Sequence, residues 1–153
     1  MKITVFLRND HEVLKSLFSR YKTPSGPRTS KGSGDLVDEI LREVRIHVQM
    51  EREIFYTALA SGPPSPSAPS RLAKAEQQLQ TIEKLLRDLG GMNVSEKSFD
   101  TTMAALIEHV NRHIELDEEE IFDEARKNLP EYRLEELGLE MEDRKKILTT
   151  LAA

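Results

Sequence analysis

Apolar positions along this chain recur at intervals of three and four, the spacing of one face of an α-helix turned toward a core. On the first stretch the seam runs Leu7, His11, Leu14, Phe18. On a second it runs Ile40, Val44, His47, Glu51, Ile54, and further along Leu106, Val110, His113, Asp117, Ile121. No segment alternates with period two for long enough to make a sheet, and no repeat of 20–50 residues is present.

Glycine, proline and serine punctuate the seams. Residues 23–34 (TPSGPRTSKGSG) and 61–70 (SGPPSPSAPS) are nearly free of apolar residues and read as loops. Gly90-Gly91 supplies a C-terminal cap, and Pro130 closes the fourth stretch. The intervals predict helices near 4–22, 35–60, 69–89 and 95–128, with a shorter one near 133–151. Asp35 and Ser95 are the expected N-caps. Four long helices joined by short or moderate loops predict one all-α domain over 1–153, an antiparallel up-down-up-down four-helix bundle. The additional C-terminal helix, with Leu134, Leu137, Leu139, Met141 and Ile147, is expected to pack across an end or a side.

What changes this picture is the polar residues inside the seams. His11, His47 with Glu51, and His113 with Asp117 occupy core positions on three different helices, and each carboxylate lies one turn after its histidine. Burying such groups without partners costs roughly 1–3 kcal/mol each, and more for an ionised carboxylate. Taken singly they are unremarkable, since a lone core histidine is more often hydrogen-bonded than metal-bound and an acidic run such as ELDEEE is usually a solvated face. Their conjunction calls for a shared partner. A metal ion accepts imidazole nitrogen and carboxylate oxygen together.

Composition then removes alternatives. The 153 residues are 38% apolar and 32% charged with no cysteine, so thiolate sites, Fe–S clusters and Cys nucleophiles are excluded. A net charge of −5 with scattered Lys and Arg argues against nucleic acid. No apolar run approaches the roughly 18 residues of a membrane span, and the first residues do not read as a secretory signal. A cytoplasmic location is the expectation.

The segments LRNDHEVLKSLF, HVQMEREIFY and HIELDEEEIF, with the tail EELGLEMEDRKKIL, resemble the hemerythrin-like, or HHE cation-binding, family over nearly the whole chain. The resemblance implies a non-haem di-iron centre bridged by carboxylates and an oxo or hydroxo group. It implies His11, His47, Glu51 and His113 as ligands, with Asp117 or Glu118 as the last carboxylate. Relatives usually carry a histidine on the third helix, where this chain has Leu79. His109, one turn before His113, is a candidate replacement, and Glu76 and Glu83 lie within a turn of Leu79. The resemblance therefore implies an asymmetric centre, or one holding a single metal more tightly.

Three functions follow. One is a binder or sensor of a small diatomic ligand (O₂ or NO) or of peroxide. Another is a redox enzyme acting on peroxide, O₂ or NO, with Tyr56 either a redox-active neighbour or an aromatic closing the bundle end. A third is a metal-depleted bundle acting through its surface. Metal identity, nuclearity and oligomeric state stay open at this level.

Overall fold

A computed structural model describes residues 1–23 and 31–152. The chain forms α1 (Ile3–Lys22), α2 (Lys31–Met50), α3 (Thr57–Ser61), α4 (Ala68–Gly90), α5 (Lys97–Leu116), α6 (Phe122–Asn128) and α7 (Glu131–Ala152). Two π-helical segments bridge breaks in this series. π1 (Glu51–Tyr56) joins α2 to α3, and π2 (Asp117–Ile121) joins α5 to α6. Each α–π–α run is one long rod, so the expected helices near 35–60 and 95–128 exist, each interrupted by a wider turn. There is no strand among the described residues. The result is an all-α bundle with up-down order, in which α1 packs on α2 and α4 on α5.

The seams bury as their periodicity requires. Leu7, His11, Leu14 and Phe18 of α1 are all buried, as are Ile40, Val44 and His47 of α2. Phe55, Phe99 and Phe122 are among the largest fully buried side chains, each contributing about 1.5–3 kcal/mol. Ile54 departs from its expected place and is only partly buried, while Phe55 is wholly buried. A π turn holds one residue more than an α turn, so after Glu51 the core position falls one residue later.

The ends differ more. α2 already runs from Lys31, which leaves Asp35 inside the helix rather than at its cap. The remainder of the expected 23–34 loop lies mostly outside the described residues. α5 starts after Glu96, which makes no side-chain cap hydrogen bond, so Ser95 is not the N-cap. Gly90 ends α4 as expected, but Gly91 closes it at φ −96°, without a left-handed residue.

α7 lies along the side of the bundle against α1 and α2. It buries Leu134, Leu137, Met141 and Leu148, whereas Leu139 and Ile147, also expected inward, are exposed. Gly138 explains how close α7 comes to the chain start. A Cβ there would sit 1.8 Å from the Met1 carbonyl oxygen, inside backbone that has little room to yield. No helix of the described residues is long and apolar enough to cross a membrane.

Candidate metal centre

Both π segments begin on a site carboxylate. Glu51 opens π1 and Asp117 opens π2, each four residues after the histidine of its helix. Up to that point the helix is α, so His47 and Glu51 face the same way, as do His113 and Asp117. π turns inside α-helices occur frequently at functional sites. Here the wider turn lies just beyond the carboxylate and leaves the i, i+4 pair intact.

His11, His47, Glu51, His113 and Asp117 are all buried, none more than 2% exposed. Glu51 stands between two imidazoles, with Oε2 2.9 Å from His47 Nε2 and Oε1 2.7 Å from His113 Nε2. Asp117 Oδ2 lies 3.2 Å from His113 Nε2 and 3.5 Å from His11 Nε2. Three helices thus bring five groups to one point at mid-bundle height.

Each imidazole is held from behind. His11 Nδ1 is 2.7 Å from Glu118 Oε2, and His47 Nδ1 is 2.7 Å from Asp10 Oδ2. His113 Nδ1 is 3.2 Å from Gln78 Oε1. An acceptor at Nδ1 fixes the ring and directs Nε2 inward, the usual arrangement behind a metal-ligating histidine.

Two atoms in contact are not necessarily hydrogen-bonded. Among the described residues, four buried side-chain atoms lack an aligned hydrogen-bond partner: His11 Nε2, His47 Nε2, Glu51 Oε2 and Asp117 Oδ2. The 2.9 Å between His47 Nε2 and Glu51 Oε2 is therefore a charge contact without hydrogen-bond geometry. The same four residues each offer a donor atom, all within 4.8 Å of one another. Buried polar atoms are nearly always satisfied, and each orphan costs about 1–3 kcal/mol. Two nitrogens and two oxygens aimed at one point form a donor set that fits a first-row metal ion.

The charges follow from the packing. Burial alone would pull the His47 imidazole down, but Glu51 and Asp10 outweigh it and hold it well above its ordinary value. His113 behaves likewise: burial opposes its charge, yet Asp117 and Glu51 push it up to about 10. For Glu51, burial is again overcome, by His113 and His47, and its carboxyl sits well below the usual range. Tyr56 is pushed well above the ordinary phenol value by burial and by the nearby Asp117 and Glu51. It keeps its proton and donates it to Asp117 Oδ1 at 2.6 Å.

Other sequence candidates fall outside this cluster. Glu118 contacts His11 Nδ1 with one face toward solvent, so of the two adjacent carboxylates it is Asp117 that faces the centre. His109 is only partly buried and is not in the cluster. Glu76 and Glu83 both bind the Arg52 guanidinium instead. Leu79 is fully buried.

Sequence reasoning missed Asp10, Gln78 and Lys145. Asp10 had a signal. Ile3, Leu7, Asp10, Leu14, Leu17 and Tyr21 form a second three-four seam on α1, buried throughout. Lys145 gives no local sign, since it meets Asp10 across 135 residues of chain.

An all-helical bundle with histidines and carboxylates converging in its core defines a class of candidate cation-binding proteins. The chain belongs to the Hemerythrin HHE cation binding domain family, whose sequence profile matches residues 2–125. In fold it is similar to the crystal structure of a hemerythrin HHE cation binding domain-containing protein from Mycobacterium kansasii. The TM-score is 0.81 at 23% identity, covering 97% of this chain and 87% of that one. Among curated proteins no sequence match reaches significance.

Proposed function

We propose that this chain is a non-haem iron protein that binds or senses O₂, NO or peroxide at the cluster in its core. The observation that carries the reading is the set of four buried, unpartnered donor atoms on three helices, His11 Nε2, His47 Nε2, Glu51 Oε2 and Asp117 Oδ2. A metal in this position would be held by those residues, and His113 with Glu51 Oε1 and Asp117 would hold a second. The bound metal supplies an open coordination position and a change of oxidation state.

The chain's own residues do the rest. Asp10, Glu118 and Gln78 keep the imidazoles aimed inward. Glu51 turns Oε2 to His47 and Oε1 to His113, and Asp117 turns Oδ2 to both His11 and His113, so both carboxylates would serve either group of nitrogens. Phe55 and Phe122, packed 5.9 Å apart at their centroids, with His11 stacked on Phe122, keep water from one side of the cluster. Tyr56 holds a proton at its phenol oxygen, 3.4 Å from His113 Nε2.

Tyr56 also favours a second reading, a redox enzyme of the peroxidase, catalase or O₂- or NO-reducing type. A phenol this close to the cluster, hydrogen-bonded to Asp117, is placed to act as a redox-active neighbour, and a centre short of nitrogen donors keeps more open positions. Against a metal-depleted bundle stands the cost of four orphaned donors, which a decayed site would be under pressure to lose.

Elemental analysis of freshly purified protein, with an absorption spectrum of the same sample, tests the main reading. The expected result is one to two irons per chain with charge-transfer absorption in the near ultraviolet and visible. Protein from iron-replete cells that carries no metal, and whose thermal stability ignores a chelator, would overturn it. Oxygen evolution from peroxide that disappears in His113→Ala would move the assignment to the enzyme.

A further inference from the structure

The family profile ends at residue 125, yet α7, which follows it, reaches the back of the candidate centre. Lys145 on α7 donates to Asp10 Oδ1, and the other oxygen, Oδ2, is 2.7 Å from His47 Nδ1. Asp10 is 5% exposed, so its orientation depends on these partners. The Lys145 ammonium also lies 4.0 Å from Glu43 of α2 and 5.9 Å from the centroid of Phe6 of α1, contacts that hold its charge between α1 and α2. From this geometry we infer that Lys145 is a positioning residue for the metal centre: through Asp10 it fixes the ring of His47 and so governs how tightly the centre holds its ion. The inference rests on the iron-binding reading and adds to it a control element on a helix outside the family profile.

The three histidines are not anchored alike. Glu118, behind His11, comes from the helical run that also carries Asp117, and Gln78, behind His113, is neutral. Only behind His47, among the described residues, is the anchoring carboxylate itself clamped by a cation from another helix. A buried carboxylate with one partner removed can rotate, and that rotation frees the imidazole. Asp10 with both partners stays an acceptor, keeps the proton on Nδ1 and leaves Nε2 for the metal. Gly138 makes the reach possible, since only a residue without Cβ lets α7 lie this close to Met1.

The test is competition for ferrous iron against a chromophoric chelator under anaerobic conditions. Lys145→Met keeps the length of the stem and removes the charge. It is expected to weaken iron binding about 10–100-fold, the usual effect of losing an outer partner. Lys145→Arg should recover most of the loss. Asp10→Asn should weaken binding at least as much, and the Asp10→Asn, Lys145→Met double variant no further, because the lysine acts through the aspartate. Unchanged affinity in Lys145→Met, or additive losses in the double variant, would overturn the inference. A second readout does not need metal. The His47 Nδ1–H proton of the metal-free protein should give a downfield, slowly exchanging resonance that is lost in Lys145→Met. If the wild type binds no iron, the iron reading fails, and this resonance still decides whether Lys145 positions the His47 ring. If Lys145→Met does not fold, Lys145→Gln takes its place in both measurements.

Discussion

The two halves of the candidate centre share their carboxylates and differ in their nitrogens. Toward α1 and α2, His11 and His47 present two imidazoles, each held by a carboxylate behind it. Toward α4 and α5 there is one, His113, backed by the neutral Gln78, with the Tyr56 hydroxyl 3.4 Å from its Nε2. The four orphaned atoms sort the same way: His11 and His47 each leave Nε2 without a partner, while His113 Nε2 is satisfied by Glu51. A side that is already hydrogen-bonded without metal gains less from binding one. The difference teaches that near-symmetric helix motifs gather an unequal set of nitrogens when α4 contributes a neutral amide, Gln78, behind the single imidazole of one side.

The largest expected effect compares the halves directly. His11→Ala removes one of two nitrogens from the fuller half, and should weaken the tightest metal by more than the roughly 10–100-fold typical of losing an outer partner. His113→Ala should leave that first metal bound and abolish the second. Metal titration with stoichiometry read by elemental analysis distinguishes them. Equal losses in the two variants would break the comparison and argue for a symmetric centre.

Much of this is legible in the sequence. The seams placed His11, His47, Glu51, His113 and Asp117 inward because a three-four period is a property of the helix itself, and all five are buried. The shift from Ile54 to Phe55 was not legible, because a π turn keeps the composition of an α turn and changes only its count. The choice between Asp117 and Glu118 turned on the same feature. With the helix α as far as Leu116, Asp117 shares the face of His113, and Glu118 points to the back of His11. Leu139 and Ile147 were misplaced because α7 packs on one side only, and its apolar residues do not keep a single stripe. Lys145 could not be found at all, since contacts across helices leave no trace in local spacing.

A smaller but measurable effect comes from protons. His113 is held at about 10 and His47 well above its ordinary value, against about 6.5 for an unfolded histidine. Their stabilising contribution to the metal-free protein is fully present below about pH 6.5 and is lost as pH rises through the folded values. Glu51 has the opposite sign. Held well below the usual range, it contributes above about pH 4.3, and its contribution is lost as pH falls. Metal-free stability should therefore decline above about pH 6.5, by at most about 1.4 kcal/mol per pH unit for each histidine. Metal binding needs a free Nε2, so the stabilisation by metal should instead grow over the same range. Thermal melts of chelator-treated and iron-loaded protein from pH 6 to 9 check both slopes. A flat metal-free profile would remove the charged histidines from the account.

The smallest effect concerns the nitrogen-poor half alone. Tyr56 donates to Asp117 Oδ1, and Phe in its place would keep the ring packing against Phe55 while leaving that oxygen without a donor. The cost to the metal-free protein should be about 1–3 kcal/mol, read from the shift in its denaturation midpoint. If the phenol supports the half that has one imidazole, Tyr56→Phe should also lower occupancy by a second metal while leaving the first in place, because none of the four orphaned donors belongs to Tyr56. Loss of both metals together would mean that Tyr56 acts by orienting Asp117 for the whole centre. The two halves would then be coupled through that one carboxylate rather than filled in sequence.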